Sequence, residues 1–411
     1  MPHHTQTKSL RICCFLVAVL LLTGTLRAER KYVFGTNCDF VGGAGNQLGS
    51  SNLNLKPLNQ GVIPSFSVYP SLSLESTGQH STFDLNYTFL GERFQIDQPM
   101  TTTSHYFTIS LTTQIGKRTH LRLANTFSSV PALSILNVLQ GTTEIPGGFM
   151  YTFEPELYKR SSLNDVARAA IDIDLSKKSF LTLEGSGGYR NYEQDVAVPG
   201  YLYNQWRIEG DAAFSHRHSE RSTWSLKYRM YQNETGDYPA VRTHSGTLGA
   251  DLKVKPTVQL TLEGGPAYTE ETAINSSYVG YYASLNLTKQ LHENQLHLYY
   301  IHRPGDSTGL GTVTDSHHGG LAFLLALGRS MSLRFNASVY KQSQQSNQNF
   351  DYWGAQGAMA LSKLIARHWI ISIGCSYQNY EGQMTGMNNV GYGRVFLAFG
   401  YRFPELWRFA K

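Results

Sequence analysis

The stretch NVGYGRVFLAFGYRF, residues 389–403, alternates apolar side chains with small or charged ones at a period of two residues. The two parities are Val395, Leu397, Phe399, Tyr401 and Phe403 on one side, and Arg394, Phe396, Ala398, Gly400 and Arg402 on the other. Successive side chains of a β-strand point to opposite faces, so the stretch predicts a strand with one apolar and one mostly small or polar face. A strand of a soluble sandwich has the same pattern as a strand of a transmembrane barrel. The rest of the chain must therefore distinguish these two folds.

The pattern recurs along the chain, and the connections between the alternating segments are short and long in turn. The short connections are residues 116–119, 176–179, 216–222, 255–256, 289–294, 328–331 and 362–367. The long ones are 128–164, 191–202, 232–240, 269–277, 303–315, 341–349 and 379–389. Bacterial barrels have short periplasmic turns and long external loops, whereas the connections of a sandwich switch sheets irregularly. The sequence therefore predicts an all-β fold, a transmembrane antiparallel up-and-down β-barrel of about 16–18 strands.

The strand number depends on two segments near the N-terminal end of the predicted barrel. Seventeen alternating segments are recognisable, and such barrels normally have an even number of strands. Eighteen result if residues 51–55 form a weak strand, which we favour, and sixteen result if residues 66–74 lie outside the wall. Residues 163–175 and 361–371 contain good helix formers, but their apolar positions favour strands.

The N-terminal residues have the features of a secretory signal peptide. Lys8 and Arg11 precede an apolar run at residues 12–22, and small residues follow. The run is shorter than the roughly 20 residues that a membrane-spanning helix needs, which disfavours the alternative of a single anchor. The predicted organisation is a signal peptide at 1–28, an irregular leader at 29–63 and the barrel at 64–411.

Composition supports a wall that faces lipid. Charged residues make up 16% of the chain, below the roughly 25% of soluble domains, and aromatic residues make up 12%. The net charge of +5 is spread along the chain without a basic block, which argues against nucleic acid as a partner. Four tryptophans stand near the starts of predicted strands, as an interfacial girdle requires: Trp206, Trp224, Trp353 and Trp369.

Charged residues of both signs fall on the parity opposite to the apolar one. Because a lipid-facing Arg or Lys at mid-bilayer costs roughly 2–4 kcal/mol, this parity predicts a watery interior. The predicted lumen-lining residues are Arg168, Asp172, Asp174, Glu184, Arg207, Glu209, Asp211, Lys227, Arg229, Asp251, Glu263, Arg334 and Arg394. They form either a transverse field or a polar ligand site, or else cross-strand ion pairs that hold the wall together. Neither cation nor anion preference follows from them.

The connection at residues 128–164 is the longest and carries an apolar run unusual for a loop in water. One interpretation is that it folds into the barrel mouth as a constriction or lid. The other is that it packs on neighbouring loops or on a partner subunit.

No catalytic motif and no metal site is recognisable in the sequence. His317 and His318 follow Asp315, and His216 and His218 lie in a short connection, but neither group has ligands at a familiar spacing. Cys38 and Cys375 are isolated once the predicted signal segment is removed. We therefore predict no cofactor and no catalytic residue, although a hydrolase site assembled by folding stays open.

The signal segment, the alternating strands and the aromatic ending together resemble porin-like outer-membrane β-barrel proteins of Gram-negative bacteria. The ending resembles the C-terminal signal that the barrel assembly machinery recognises, which implies roles for Phe399, Tyr401, Phe403 and Phe409. Eight residues follow Phe403, a departure that leaves both Phe403 and Phe409 as candidates for the terminal aromatic.

The resemblance implies a location in the bacterial outer membrane, contact with its lipid, and passive passage of small hydrophilic solutes. It leaves a homo-oligomer open. The alternatives are a receptor or export-associated barrel that works with a periplasmic or polysaccharide machine, and a barrel hydrolase.

Overall fold

The structure is a computed structural model. It describes residues 31–47, 62–94, 100–130, 162–192, 204–235, 238–271, 276–306, 314–344, 351–366, 368–382, 390–402 and 407–410. The predicted signal peptide, residues 51–55 and most of the connection at 128–164 lie outside these residues, as does Phe403.

The described residues form nineteen β-strands. They are β1 (Lys31–Gln47), β2 (Val62–Thr77), β3 (Ser81–Phe94), β4 (Met100–Gly116), β5 (Thr119–Val130), β6 (Ser162–Asp174), β7 (Ser179–Tyr192), β8 (Gln205–Ser219), β9 (Ser222–Thr235), β10 (Tyr238–Lys255), β11 (Val258–Glu271), β12 (Ser276–Leu291), β13 (Asn294–Asp306), β14 (Thr314–Ala326), β15 (Met331–Gln344), β16 (Asp351–Ala366), β17 (Trp369–Gly382), β18 (Val390–Arg402) and β19 (Trp407–Ala410). Within the same residues, no helix has the length and apolar character needed to cross a membrane.

The strands pair in chain order and the series returns to its start. Each strand from β1 to β17 is antiparallel to the next, and β18 pairs with β1 over eleven residue pairs, from Asn37 with Arg402 to Gln47 with Tyr392. The short β19 continues past the end of β18 and pairs with Lys31–Phe34 of β1. The all-β, antiparallel up-and-down architecture is therefore confirmed, with eighteen strands in the ring.

The first strand differs from the prediction. The sequence indicated an irregular leader at 29–63, but residues 31–47 form β1, which pairs with both β2 and β18 and supplies the closing strand. Residues 66–74 belong to β2 and pair on both sides, so they lie in the wall. The two segments with good helix formers are strands, in β6 and in β16 and β17, as predicted.

The alternation of connection lengths is confirmed in general and has two exceptions, the connections at residues 236–237 and 272–275. At one rim, eight connections leave two to four residues between strands, while the connection between β5 and β6 at the other rim spans residues 131–161. Only residues 236–237 separate β9 from β10, because pairing between these two strands continues further toward that rim. We call the two ends the turn rim and the loop rim.

The two faces of the sheet have different chemistry. Along β9, the outward side chains Leu226 and Tyr228 are 59% and 51% exposed. They alternate with Lys227 and Arg229, which contact acidic groups inside. Burial of an apolar side chain stabilises by roughly 1.5–3 kcal/mol, so a surface with this many exposed large apolar groups requires an apolar surrounding.

The four tryptophans lie on the outward face, each close to a strand end and each at least 38% exposed. Trp206 and Trp353 stand at the loop rim, and Trp224 and Trp369 at the turn rim. Trp206 is opposite Glu234, ten residues beyond Trp224 along β9. At about 3.4 Å per residue and a tilt of about 40°, this separation is roughly 26 Å along the barrel axis, close to the height of an apolar membrane band.

Part of the interior is filled by side chains. Tyr69, Leu90 and Phe396, from β2, β3 and β18, form a buried apolar cluster with Tyr106 and Ala360 packed against it. This cluster adds apolar contacts to an interior whose other buried side chains are largely polar.

Candidate functional site

The inward faces of β6 to β13 bring charged residues together near the middle of the barrel. Three inward charged side chains come from β8, two from β9 and one from β11. The members are Arg168, Glu184, Arg207, Glu209, Asp211, Lys227, Arg229, Glu263 and Arg303, which we call the lumen network. It contains five basic and four acidic side chains, so their charges nearly cancel.

Arg229 lies at the centre of the lumen network. Its Nε donates to both carboxylate oxygens of Asp211, at 3.1 and 3.2 Å. The same Nε is 3.7 Å from Glu209, and Nη2 is 3.6 Å from Glu263. The guanidinium also lies over the ring of Tyr282 at 4.6 Å, and only 11% of the side chain is exposed. Three carboxylates and a ring face therefore hold one cation in place.

Glu263 is the most buried acid of the network, with 6% of its side chain exposed. It accepts a hydrogen bond from Lys227 Nζ at 2.8 Å and another from Thr247 Oγ1 at 2.7 Å. Because a buried carboxylate is stable only when it is paired and hydrogen-bonded, these contacts explain how it is accommodated.

A second group of contacts reaches toward the loop rim. Arg207 is 3.4 Å from Glu209 and lies over the ring of Tyr231 at 5.4 Å. Arg303 approaches the same ring at 5.8 Å, and the Tyr231 hydroxyl donates to the backbone carbonyl of Pro304. Tyr231 thus joins β9 to β13 and narrows the interior between them.

The network contains ion pairs within one strand, between adjacent strands and between strands separated by a third. Asp211 pairs with Arg229 across β8 and β9, whereas Glu263 on β11 contacts Lys227 and Arg229 on β9, two strands away. Glu184 lies opposite Asp211, and Glu209 interacts electrostatically with Arg168 and Arg303. The described geometry therefore combines cross-strand pairing with contacts that reach past an intervening strand.

The other predicted lumen residues lie apart from the network. Asp172 accepts two hydrogen bonds from Arg122, at 2.8 and 3.1 Å, and one from Thr182 at 2.7 Å. Asp251 accepts from Thr261 at 2.6 Å. Asp174 and Arg334 are exposed, and the side chain of Arg394 lies outside the described part of the chain.

Three members of the site are absent from the sequence prediction. Arg303 falls within a segment predicted as a loop, but β13 extends to Asp306. Tyr231 and Tyr282 have the inward parity, and tyrosine on that parity carries no charge to mark it. Their distinguishing feature is contact with guanidinium groups from other strands, which only the fold reveals.

The aromatic residues of the predicted assembly signal are partly described. Trp369 packs on Phe399 and Tyr401, with ring centroids 4.7 and 4.5 Å apart. Phe409 lies in β19 opposite Tyr32, and nothing of its side chain is described. The role of these residues in assembly stays a prediction.

No protein-family model and no curated protein matches this chain. Among solved structures it is similar to OccK3 (OpdO) of Pseudomonas aeruginosa, with a TM-score of 0.46 and 12% identity over 91% of this chain and 96% of that one. It is also similar to OccAB4 of Acinetobacter baumannii, with a TM-score of 0.45 and 11% identity over 92% and 99%. The outer membrane protein OpdK of Pseudomonas aeruginosa gives 0.44 and 8% over 90% and 99%. At identities this low, the comparison gives no information on the roles of individual side chains.

Proposed function

We propose that this chain is a bacterial outer-membrane barrel that lets small hydrophilic solutes pass through its interior. The observation that carries the proposal is the separation of chemistry by parity, as along β9, where exposed Leu226 and Tyr228 alternate with the inward Lys227 and Arg229. An apolar exterior suits lipid, and a charged interior suits water and polar solutes.

The lumen network supports passage of polar solutes and gives the interior a polar lining. Charged side chains of the network that are partly exposed, such as Lys227 and Arg207 at 30% and 28%, present polar groups to the interior. Because the network holds both signs in near balance, no preference between cations and anions follows.

Conductance across a planar bilayer tests the proposal. The purified full-length mature chain is expected to give steady steps of ionic current. Arg229→Gln removes one positive charge from the interior, so the reversal potential in a salt gradient should shift toward cation selectivity. Lys177→Gln, in an exposed turn, is the matched control and should leave the reversal potential unchanged. An inserted barrel without current would overturn the channel proposal.

A second candidate is a receptor or export-associated barrel that stays closed to free diffusion. The buried cluster of Tyr69, Leu90 and Phe396, together with the contact between Tyr231 and Pro304, favours this candidate because both occupy interior space. A folded, inserted protein that carries no current would support it.

A further inference from the structure

Two histidines and one aspartate meet on the outward parity of β13 and β14, near the loop rim. His302 lies directly opposite His317, and their ring centroids are 4.2 Å apart. Asp315 precedes His317 by two residues and so shares its face; its Oδ1 is 3.0 Å from His302 Nε2. One ligand atom from each of the three residues lies within 4.8 Å of the other two.

His302 is buried, and its polar atoms are not satisfied by the described protein. Only 1% of the residue is exposed, and neither ring nitrogen has a hydrogen-bond partner among the described residues. Asp315 Oδ1 also has none, because its short contact with His302 is not aligned as a hydrogen bond. A buried unpaired polar group costs roughly 1–3 kcal/mol, so an unsatisfied ring nitrogen of His302 close to the unsatisfied Oδ1 of Asp315 indicates a shared ligand.

The neighbouring aromatic residues position the cluster. Tyr300 bonds to Nδ1 of His317 at 2.9 Å, which leaves Nε2 for a ligand when Nδ1 carries the proton. Tyr281 packs against the His302 ring with centroids 4.1 Å apart. A histidine that binds metal usually donates its other N–H to an oxygen acceptor, which fixes the ring and its tautomer, and the Tyr300 hydroxyl oxygen occupies that position for His317.

The same face has two other tyrosine–histidine pairs that provide a comparison. Tyr87 bonds to His105 at 2.9 Å and Tyr228 bonds to His244 at 2.7 Å, again at hairpins of the loop rim. In the described residues, neither pair belongs to a group of three ligands. A tyrosine–histidine pair is thus a recurring contact on this face. The β13–β14 hairpin differs from the other two because His302 and Asp315 lie beside its Tyr300–His317 pair.

We propose that His302, Asp315 and His317 bind a divalent transition-metal ion of the Zn²⁺ class. Imidazole nitrogen and carboxylate oxygen are ligands that Zn²⁺ accepts at roughly 2.0–2.2 Å, and three protein ligands leave a fourth position for water. Ca²⁺ and Mg²⁺ prefer sites built from oxygen alone, so they fit less well. The bound ion would join β13 to β14 beside the connection at 307–313 and brace that hairpin. This inference is independent of the proposed channel.

Zinc titration of the full-length mature chain in detergent, after removal of metals with a chelator, tests the site. The wild type should bind one Zn²⁺ per chain in calorimetry, and Zn²⁺ should raise its unfolding temperature. His302→Ala and Asp315→Asn should each abolish this single site. His244→Ala, which removes the histidine of a pair without the extra ligands, should bind Zn²⁺ like the wild type.

The result that would overturn the site is equal Zn²⁺ binding in the wild type and the ligand variants, or no stoichiometric binding in the wild type. A heat-dependent gel shift reports whether each variant is folded. If His302→Ala fails to fold, the comparison of Asp315→Asn with the wild type decides. Tyr300→Phe should weaken binding about tenfold through loss of the orienting hydrogen bond, whereas Tyr228→Phe should not.

Discussion

Arg229 is the residue on which the stability of the interior most depends. Arg229→Ala leaves Asp211 and Glu263 without a shared cation, and removal of one partner from a buried pair costs about 3–5 kcal/mol. Because the proposed channel also admits water, we expect a loss at the lower end of this range. The free energy of unfolding, measured with denaturant, should fall by about 3 kcal/mol.

Arg122→Ala is the matched control for that change. Arg122 also pairs with one aspartate, Asp172, but 46% of its side chain is exposed. An exposed ion pair contributes at most about 1 kcal/mol, so this variant should unfold almost like the wild type. Equal losses for the two arginine variants would contradict the buried network.

Gly354 is required by the side chain that covers it. A Cβ at this position would collide with the hydroxyl and ring of Tyr340, which lies directly opposite on β15. Gly354→Ala should therefore destabilise the protein by about 1–3 kcal/mol, as overpacking does. Gly357→Ala on the same strand meets nothing nearer than 3.7 Å and should be nearly neutral in the same unfolding experiment. A neutral Gly354→Ala would show that Tyr340 does not pack there.

At this scale the sequence predicts the face of a residue but not its partners. Period-two parity put Arg207, Glu209 and Arg229 on one face, where they contact one another, since the alternation of a strand is local. Which acid meets which base depends on the register between strands, as in Asp211 opposite Arg229. For the same reason, the sequence did not indicate His302 as a metal ligand, because the other two proposed ligands lie on the next strand.

The strand β1 closes the ring, and its native cysteine gives a direct test of that pairing. Cys38 lies opposite Tyr401 of β18, and directly paired residues in an antiparallel sheet have Cα atoms about 4.5–5.5 Å apart. That spacing suits a disulfide. Tyr401→Cys, in a chain with Cys375→Ser, should therefore form a disulfide with Cys38 on mild oxidation, detected as a linked peptide by mass spectrometry.

Phe399→Cys in the same background is the control for register. Phe399 pairs with Phe40, two residues from Cys38, and such diagonal neighbours are about 7–8 Å apart. The Phe399→Cys variant should therefore form little disulfide with Cys38. Efficient cross-linking at Phe399 instead of Tyr401 would show a different register, and no cross-link at either would contradict closure by β1.

A strand was predictable from the sequence to the extent that its two faces differ in polarity. β9 alternates large apolar with charged residues, so its strand character is evident from its sequence. β1 (KYVFGTNCDFVGGAGNQ) has glycines and small polar residues where an alternation should appear. Its strand conformation depends on hydrogen bonds to β2 and β18, a long-range cause that local sequence does not contain.

The molecule as a whole depends on one arrangement, in which apolar side chains face lipid and charged ones face an aqueous interior. The tryptophans near both rims are consistent with it, since their separation of roughly 26 Å along the axis matches an apolar band. The outline of the barrel followed from alternation repeated over many strands, whereas strand number required the pairing of β1.

The most direct measurement scans fluorescent labels along residues 226–231 of β9, attached one at a time to cysteines in a background with Cys38→Ser and Cys375→Ser. The protein is reconstituted in bilayers, and quenching by brominated lipid is compared with quenching by aqueous iodide. Labels at 226, 228 and 230 should be quenched by lipid, and labels at 227, 229 and 231 should not. Loss of this alternation, or lipid quenching at the charged positions, would contradict the account.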